Sequence, residues 1–167
     1  MYDKLTKSDI QKMNEEIEYR KLELRKQLLE EVKETRAHGD LSENFEYHAA
    51  KREKNRNESR IRYLERMIKT AHIIDDSSKD NEVGINNRVE VYFEEDDLTE
   101  SYRIVTTIRG DSLNQLISIE SPLGKALLGK KAGDRVEVQV NPGCSYYVVV
   151  KNIDKTTDDQ EDKIRGY

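Results

Sequence analysis

The chain has 167 residues, enough for one compact domain or two small ones. Charged residues make up 38 % and hydrophobic ones 35 %, with mean hydropathy −0.93, which excludes a chain that is all compact core and points to an elongated helical part. Net charge is −5 with the signs mixed along the chain, so bulk charge argues neither for nor against nucleic acid. Cys144 is the single cysteine, which excludes an internal disulfide and suggests a reducing compartment. Met1-Tyr2-Asp3-Lys4 leads straight into charged residues, and no run is long enough to span a bilayer. The expectation is a cytoplasmic protein with no membrane partner.

Residues 6–36 contain no glycine or proline, and Ile10, Met13, Ile17, Leu24, Leu28 and Val32 recur mostly three or four apart. That pattern predicts an amphipathic helix about 45 Å long. His38-Gly39-Asp40 stops it, with Gly39 as the terminal glycine and Asp40 as a cap for the next helix. That second helix is predicted over residues 41–71. Its seam reads Tyr47, Ala50, Lys54, Asn57, Ile61, Leu64, Ile68 and Ala71, a coiled-coil register with Lys54 and Asn57 as polar members. The short connection forces the helices antiparallel, with the tip at residues 38–44.

Composition then changes. The predicted organisation is a hairpin over 1–75, a polar linker over 76–87, a sheet domain over 88–153 and a charged, mobile tail over 154–167. Runs rich in Val, Ile and Tyr at 88–93, 101–108, 116–119, 135–140 and 146–153 read as strands, separated by turn residues such as Gly133-Asp134 and Asn141-Pro142-Gly143. Ser121-Pro122 starts one short helix and Gly129 stops it. The fold class is α+β: an antiparallel two-helix coiled-coil hairpin, then a small antiparallel sheet domain packed by one helix.

Asp40 and Glu43 at the tip admit two readings. Asp-x-x-Glu before a helix is a capping-box pattern, and acids suit the positive end of a helix dipole. Alternatively the carboxylates hold a hard cation such as Mg²⁺. Two of them make only a half-site, because Mg²⁺ requires near-octahedral oxygen coordination. His38, His48 and His72 show no zinc-type spacing, and Cys144 has no neighbouring histidine or basic cluster.

Asp40-Leu41-Ser42-Glu43-Asn44, with Glu46-Tyr47-His48-Ala49-Ala50 after it, resembles the tip signature of the bacterial Gre transcript-cleavage factors, GreA and GreB. Ile117-Ser118-Ile119-Glu120-Ser121-Pro122-Leu123-Gly124-Lys125-Ala126-Leu127-Leu128-Gly129-Lys130, Gly133-Asp134 and Pro142-Gly143 also look like that family. The resemblance covers nearly the whole chain. It implies a hairpin that enters the secondary channel of a backtracked bacterial RNA polymerase and an FKBP-like domain that docks on the coiled coil at the channel rim. Asp40 and Glu43 would act there as ligands of the polymerase's second Mg²⁺, stimulating cleavage of the extruded RNA 3′ end. Ser42 and Asn44 would support the tip, Lys51, Arg52 and Arg56 would meet RNA phosphates, and Ser121, Pro122, Leu123 and Gly124 would dock on the polymerase, an exposed Leu123 supporting that role. The factor would be a monomer, would be no enzyme by itself, and would bind no metal tightly alone.

Two positions depart from the family pattern. Lys26 stands where proline is common, so the first helix is expected to run straighter. Phe45 stands where many members have alanine, and could pack below the tip or touch RNA or the polymerase. Alternative readings are a channel-binding regulator without cleavage activity and a coiled-coil adaptor unrelated to polymerase. Prolyl isomerase activity is a weaker idea, since a fold alone does not imply it.

Overall fold

The chain divides into two compact units, one of residues 10–71 and one of residues 1–9 with 72–166. The structure, a computed structural model, describes residues 4–39, 44–156 and 158–166.

The helical unit contains most of α1 (Lys7–Tyr19), a π-helical turn (Arg20–Leu24), α2 (Arg25–Arg36) and α3 (Phe45–Lys69). Its buried apolar residues, Met13, Ile17, Leu28, Ala50, Ile61 and Leu64, fall on the predicted stripes. The π turn interrupts what the sequence reads as one continuous helix. Arg20, Leu24, Leu28 and Val32 are four apart, and each such step overshoots the 3.6-residue period, so a uniform α-helix would carry the stripe off the seam. A π turn holds an extra residue and takes up that drift. Lys26 lies just beyond it in an unbroken α2.

A polar layer sits beside the turn. The Arg20 guanidinium donates to Asn57 Oδ1 (2.9 Å) and Glu16 Oε1 (3.3 Å), while the Asn57 amide donates back to the Arg20 carbonyl (3.3 Å). Arg60, only 2 % exposed, donates to Glu16 Oε2 at 3.2 Å. Of the two polar seam residues read from the sequence, Asn57 is buried in this layer and Lys54 is half-buried, but Arg60 is not on the predicted seam.

In the second unit, β3 (Arg88–Phe93), β4 (Leu98–Val105), β5 (Leu116–Ser118), β6 (Arg135–Asn141) and β7 (Cys144–Asp154) form one sheet in the order β5-β4-β3-β7-β6. Pairing is antiparallel except between β4 and β5, which run parallel. Alternation places Val89, Val91, Val136 and Val138 inward and Arg88, Glu90, Arg135 and Glu137 outward. Leu127 of α4 (Pro122–Leu127) joins that core, together with Val83, Ile85, Ile104, Ile119, Val148 and Val150.

Three segments differ from the sequence reading. Residues 4–9 sort with the sheet unit, where β1 (Lys4–Leu5) pairs in parallel with β2 (His72–Ile73). The polar stretch read as a linker supplies Val83 and Ile85 to the core, and buried Asn87 accepts from the Gly84 N–H (2.7 Å). The tail is packed: Asp162 pairs with Arg103 and Arg109, and the Arg165 N–H donates to the Ile108 carbonyl at 2.7 Å. Charge alone suggests mobility because the two arginine partners of Asp162 lie 53 and 59 residues away in sequence.

Candidate functional site: the hairpin end

Asp40, Ser42 and Glu43 lie outside the described residues; the geometry of the end is carried by its flanks. On the α2 side, the Ala37 N–H donates to the Lys33 and Glu34 carbonyls, and Gly39 sits at φ 124°, a conformation that favours glycine. On the α3 side, Asn44 is the N-cap. Its Oδ1 accepts from the Tyr47 N–H (3.0 Å) and its Nδ2 donates across the hairpin to the Thr35 carbonyl (2.5 Å). One amide thus satisfies an orphan donor of α3 and ties the two helices together below the tip.

The carboxylates of the capping-box reading lie outside the described residues, but the helix start tied to that reading is corrected. That reading needs a helix beginning near residue 41 with Asp40 as its cap, whereas α3 begins at Phe45 and its cap is Asn44. Both ends of the Asn44 amide are committed to backbone groups, one on each helix. Phe45 is 84 % exposed, which overturns packing below the tip. His38 Nδ1 and Glu46 Oε2, both exposed, lie 3.6 Å apart.

Farther along α3, Lys51, Arg52 and Arg56 are exposed, and Arg56 Nη1 meets Glu53 at 3.3 Å. Arg25 and Glu58 form a two-bond pair at 2.7 and 2.9 Å, and its hydrogen bonds hold the Glu58 carboxyl below the usual glutamate range. Among the described residues no group of three or more His, Cys, Asp or Glu could hold a metal ion. The donor chemistry of Asp40 and Glu43, hard carboxylate oxygens, fits Mg²⁺ but leaves most of its coordination to others.

The segment 121–124 in the other unit is built for local structure. Ser121 Oγ accepts from the Gly124 N–H (3.1 Å) and donates to the Ser118 carbonyl (2.6 Å), capping α4, and Pro122 follows at the first turn. Gly124 is buried, and a Cβ there would stand 2.0 Å from the Ser118 carbonyl oxygen. Leu123 is half-buried against the core, so the exposure that would have supported a docking role is absent.

Sequence reasoning missed a buried ionic cluster in the sheet unit. Arg109 and Asp9 are fully buried and joined at 2.5 Å. Asp9 also accepts from the Thr106 hydroxyl (2.7 Å) and the Thr6 N–H (3.0 Å), and Arg109 donates to Asn86 (2.7 Å) and Asp162 (2.8 Å). Thr6 and Asp9 form the reciprocal box that begins α1, since the Asp9 N–H donates to Thr6 Oγ1 at 3.1 Å. Their spacing was the available signal.

Residues 4–73 match the family model described as transcription elongation factor, N-terminal, and residues 78–155 match that of transcription elongation factor, GreA/GreB, C-term. A protein named transcription elongation factor GreA from Thermoanaerobacter pseudethanolicus is 46 % identical over 140 residues, covering 83 % of this chain and 89 % of that one. One of the same name from Chloroherpeton thalassium is 42 % identical over 147 residues, covering 87 % and 93 %. The crystal structure of GreA factor homolog 1 (Gfh1) of Thermus thermophilus is 28 % identical, covering 92 % of this chain and 99 % of that one, with a TM-score of 0.42.

Proposed function

Because the chain belongs to the GreA/GreB family of transcription elongation factors, we propose that it inserts its hairpin into the secondary channel of bacterial RNA polymerase and stimulates Mg²⁺-dependent cleavage of a backtracked RNA 3′ end. Asp40 and Glu43 add oxygen ligands to a second, weakly held Mg²⁺ of the polymerase. Phosphodiester hydrolysis by two metals needs one ion at the attacking oxygen and one at the leaving oxygen, so raising the occupancy of the weaker ion raises the rate. The chain itself supplies position and charge; the nuclease chemistry belongs to the polymerase, and the isolated chain is catalytically silent. Lys51, Arg52 and Arg56 offer cations to the phosphates of extruded RNA. The segment from Ser121 to Gly124 contributes to docking through the shape it gives α4.

The observation that carries this reading is the Asn44 cap. Its amide caps α3 at the Tyr47 N–H and joins α3 to the Thr35 carbonyl of α2, which supports a braced hairpin end next in sequence to Asp40 and Glu43.

The test is cleavage of RNA in stalled, backtracked bacterial polymerase complexes. The wild-type chain shortens the RNA in a Mg²⁺-dependent manner. Asp40→Asn, which removes a charge and little volume, lowers stimulation on the order of tenfold or more with the thermal midpoint unchanged. Polymerase binding without RNA shortening by the wild type would sink the cleavage role and leave a channel-binding regulator. Full activity of Asp40→Asn would end the metal role.

A further inference from the structure

The first side chain of α3 is a large exposed aromatic. Phe45 is 84 % exposed, and among the described residues no ring or cation contact joins it. It follows the cap Asn44 directly and stands two residues after Glu43 in sequence. Phe45, Ala49, Arg52 and Arg56 are spaced four, three and four apart, so they share one helix face, and all four are exposed. Of the buried residues of α3, Ala50, Asn57, Ile61 and Leu64 occupy a different face, and Arg60, one turn past Arg56, lies at the edge of this one. At about 1.5 Å per residue, Arg52 and Arg56 lie roughly 10 and 16 Å along the axis from the ring.

We propose that Phe45 is a stacking platform for a base of the extruded single-stranded RNA, with Arg52 and Arg56 on the same face meeting its phosphates. The proposal rests on the function proposed above and adds a positioning residue to it. An aromatic face followed by cations along one line is the arrangement that binds single strands: the ring accepts any base, and the cations track the backbone. The same line disfavours an apolar protein surface as the occupant, because Arg52 and Arg56 would have to be desolvated against it. A base held on Phe45 fixes the strand beside the tip acids, so less of the barrier is spent on orienting it.

The experiment measures kcat/KM for cleavage in backtracked complexes whose RNA ends in a purine or a pyrimidine, with the full-length wild type, Phe45→Ala, Phe45→Leu and Phe45→Trp. The expected result is a loss of about tenfold for both Phe45→Ala and Phe45→Leu, with Phe45→Trp at least as active as wild type. The wild type is expected to favour purine ends, which stack better, and both non-aromatic variants to lose that preference. If Phe45→Leu keeps its activity while Phe45→Ala does not, the contact is apolar and made to protein, and the proposal is overturned. It is also overturned if Phe45→Trp falls with Phe45→Ala. Unaltered activity of Phe45→Ala beside a stimulating wild type overturns this proposal alone, whereas a wild type that stimulates nothing overturns the function on which it rests.

Discussion

Each unit buries a cluster of polar side chains, and the two clusters differ in how completely water is excluded. In the hairpin, Arg20 and Glu16 keep 20 % and 22 % of their side-chain surface exposed, so that even the buried Arg60 has a partner in contact with water. In the sheet unit, Arg109 and Asp9 keep none. The bonds are of the same kind, but a charge in the sheet unit has no water to fall back on if its partner is removed. The hairpin layer therefore chiefly selects register, and the sheet-unit cluster fastens chain segments that are far apart in sequence.

The strongest test of this contrast is Asp9→Ala. Leaving Arg109 buried with less countercharge is expected to cost about 3–5 kcal/mol in urea unfolding followed by tyrosine fluorescence. A cost no larger than that of a surface substitution would erase the distinction. Asn57→Leu in the hairpin is the sharper comparison. It removes the reciprocal bonds to Arg20 and adds apolar volume, so stability by circular dichroism is expected to shift by less than about 1.5 kcal/mol. The selectivity of helix pairing, read by cross-linking of cysteines placed in the two arms, is expected to fall. The smallest effect belongs to the Arg25–Glu58 pair. Glu58 titrates lower in the folded chain, so its contribution is fully present above the ordinary glutamate value of 4.5 and is lost as pH falls through the lower folded value. Glu58→Gln is expected to lower stability slightly at neutral pH, leave it nearly unchanged well below the folded Glu58 value, and so flatten the acid limb of the hairpin's stability–pH profile.

Periodicity made the hairpin legible: the stripes from Ile10 to Val32 and from Tyr47 to Ala71 lie on the buried sides of the helices. It could not locate the start of α3. Asp40 and Glu43 satisfy the local pattern of a cap, while the partner that distinguishes Asn44 is the Thr35 carbonyl on the opposite helix, nine residues back. The strands were legible because valines alternate with charged residues in β3 and β6. The pairing of Lys4–Leu5 with His72–Ile73 was not, since two residues show no period. Arg109 was equally hidden, because a lone arginine in a turn region reads as a surface residue until Asp9 and Asp162 close on it. Phe45 stands out in the sequence as a departure, with packing and contact both open; its exposure decides against packing.

The π turn at Arg20–Leu24 has a consequence for comparing this chain with others. Such a turn holds one residue more than the α-helical turn it replaces. A homologue with a regular helix in this place would align only with a one-residue gap in mid-helix, where gaps are ordinarily refused. Without that gap, every position between the turn and the tip would be matched to its neighbour, and residues facing the partner helix would be equated with residues facing solvent.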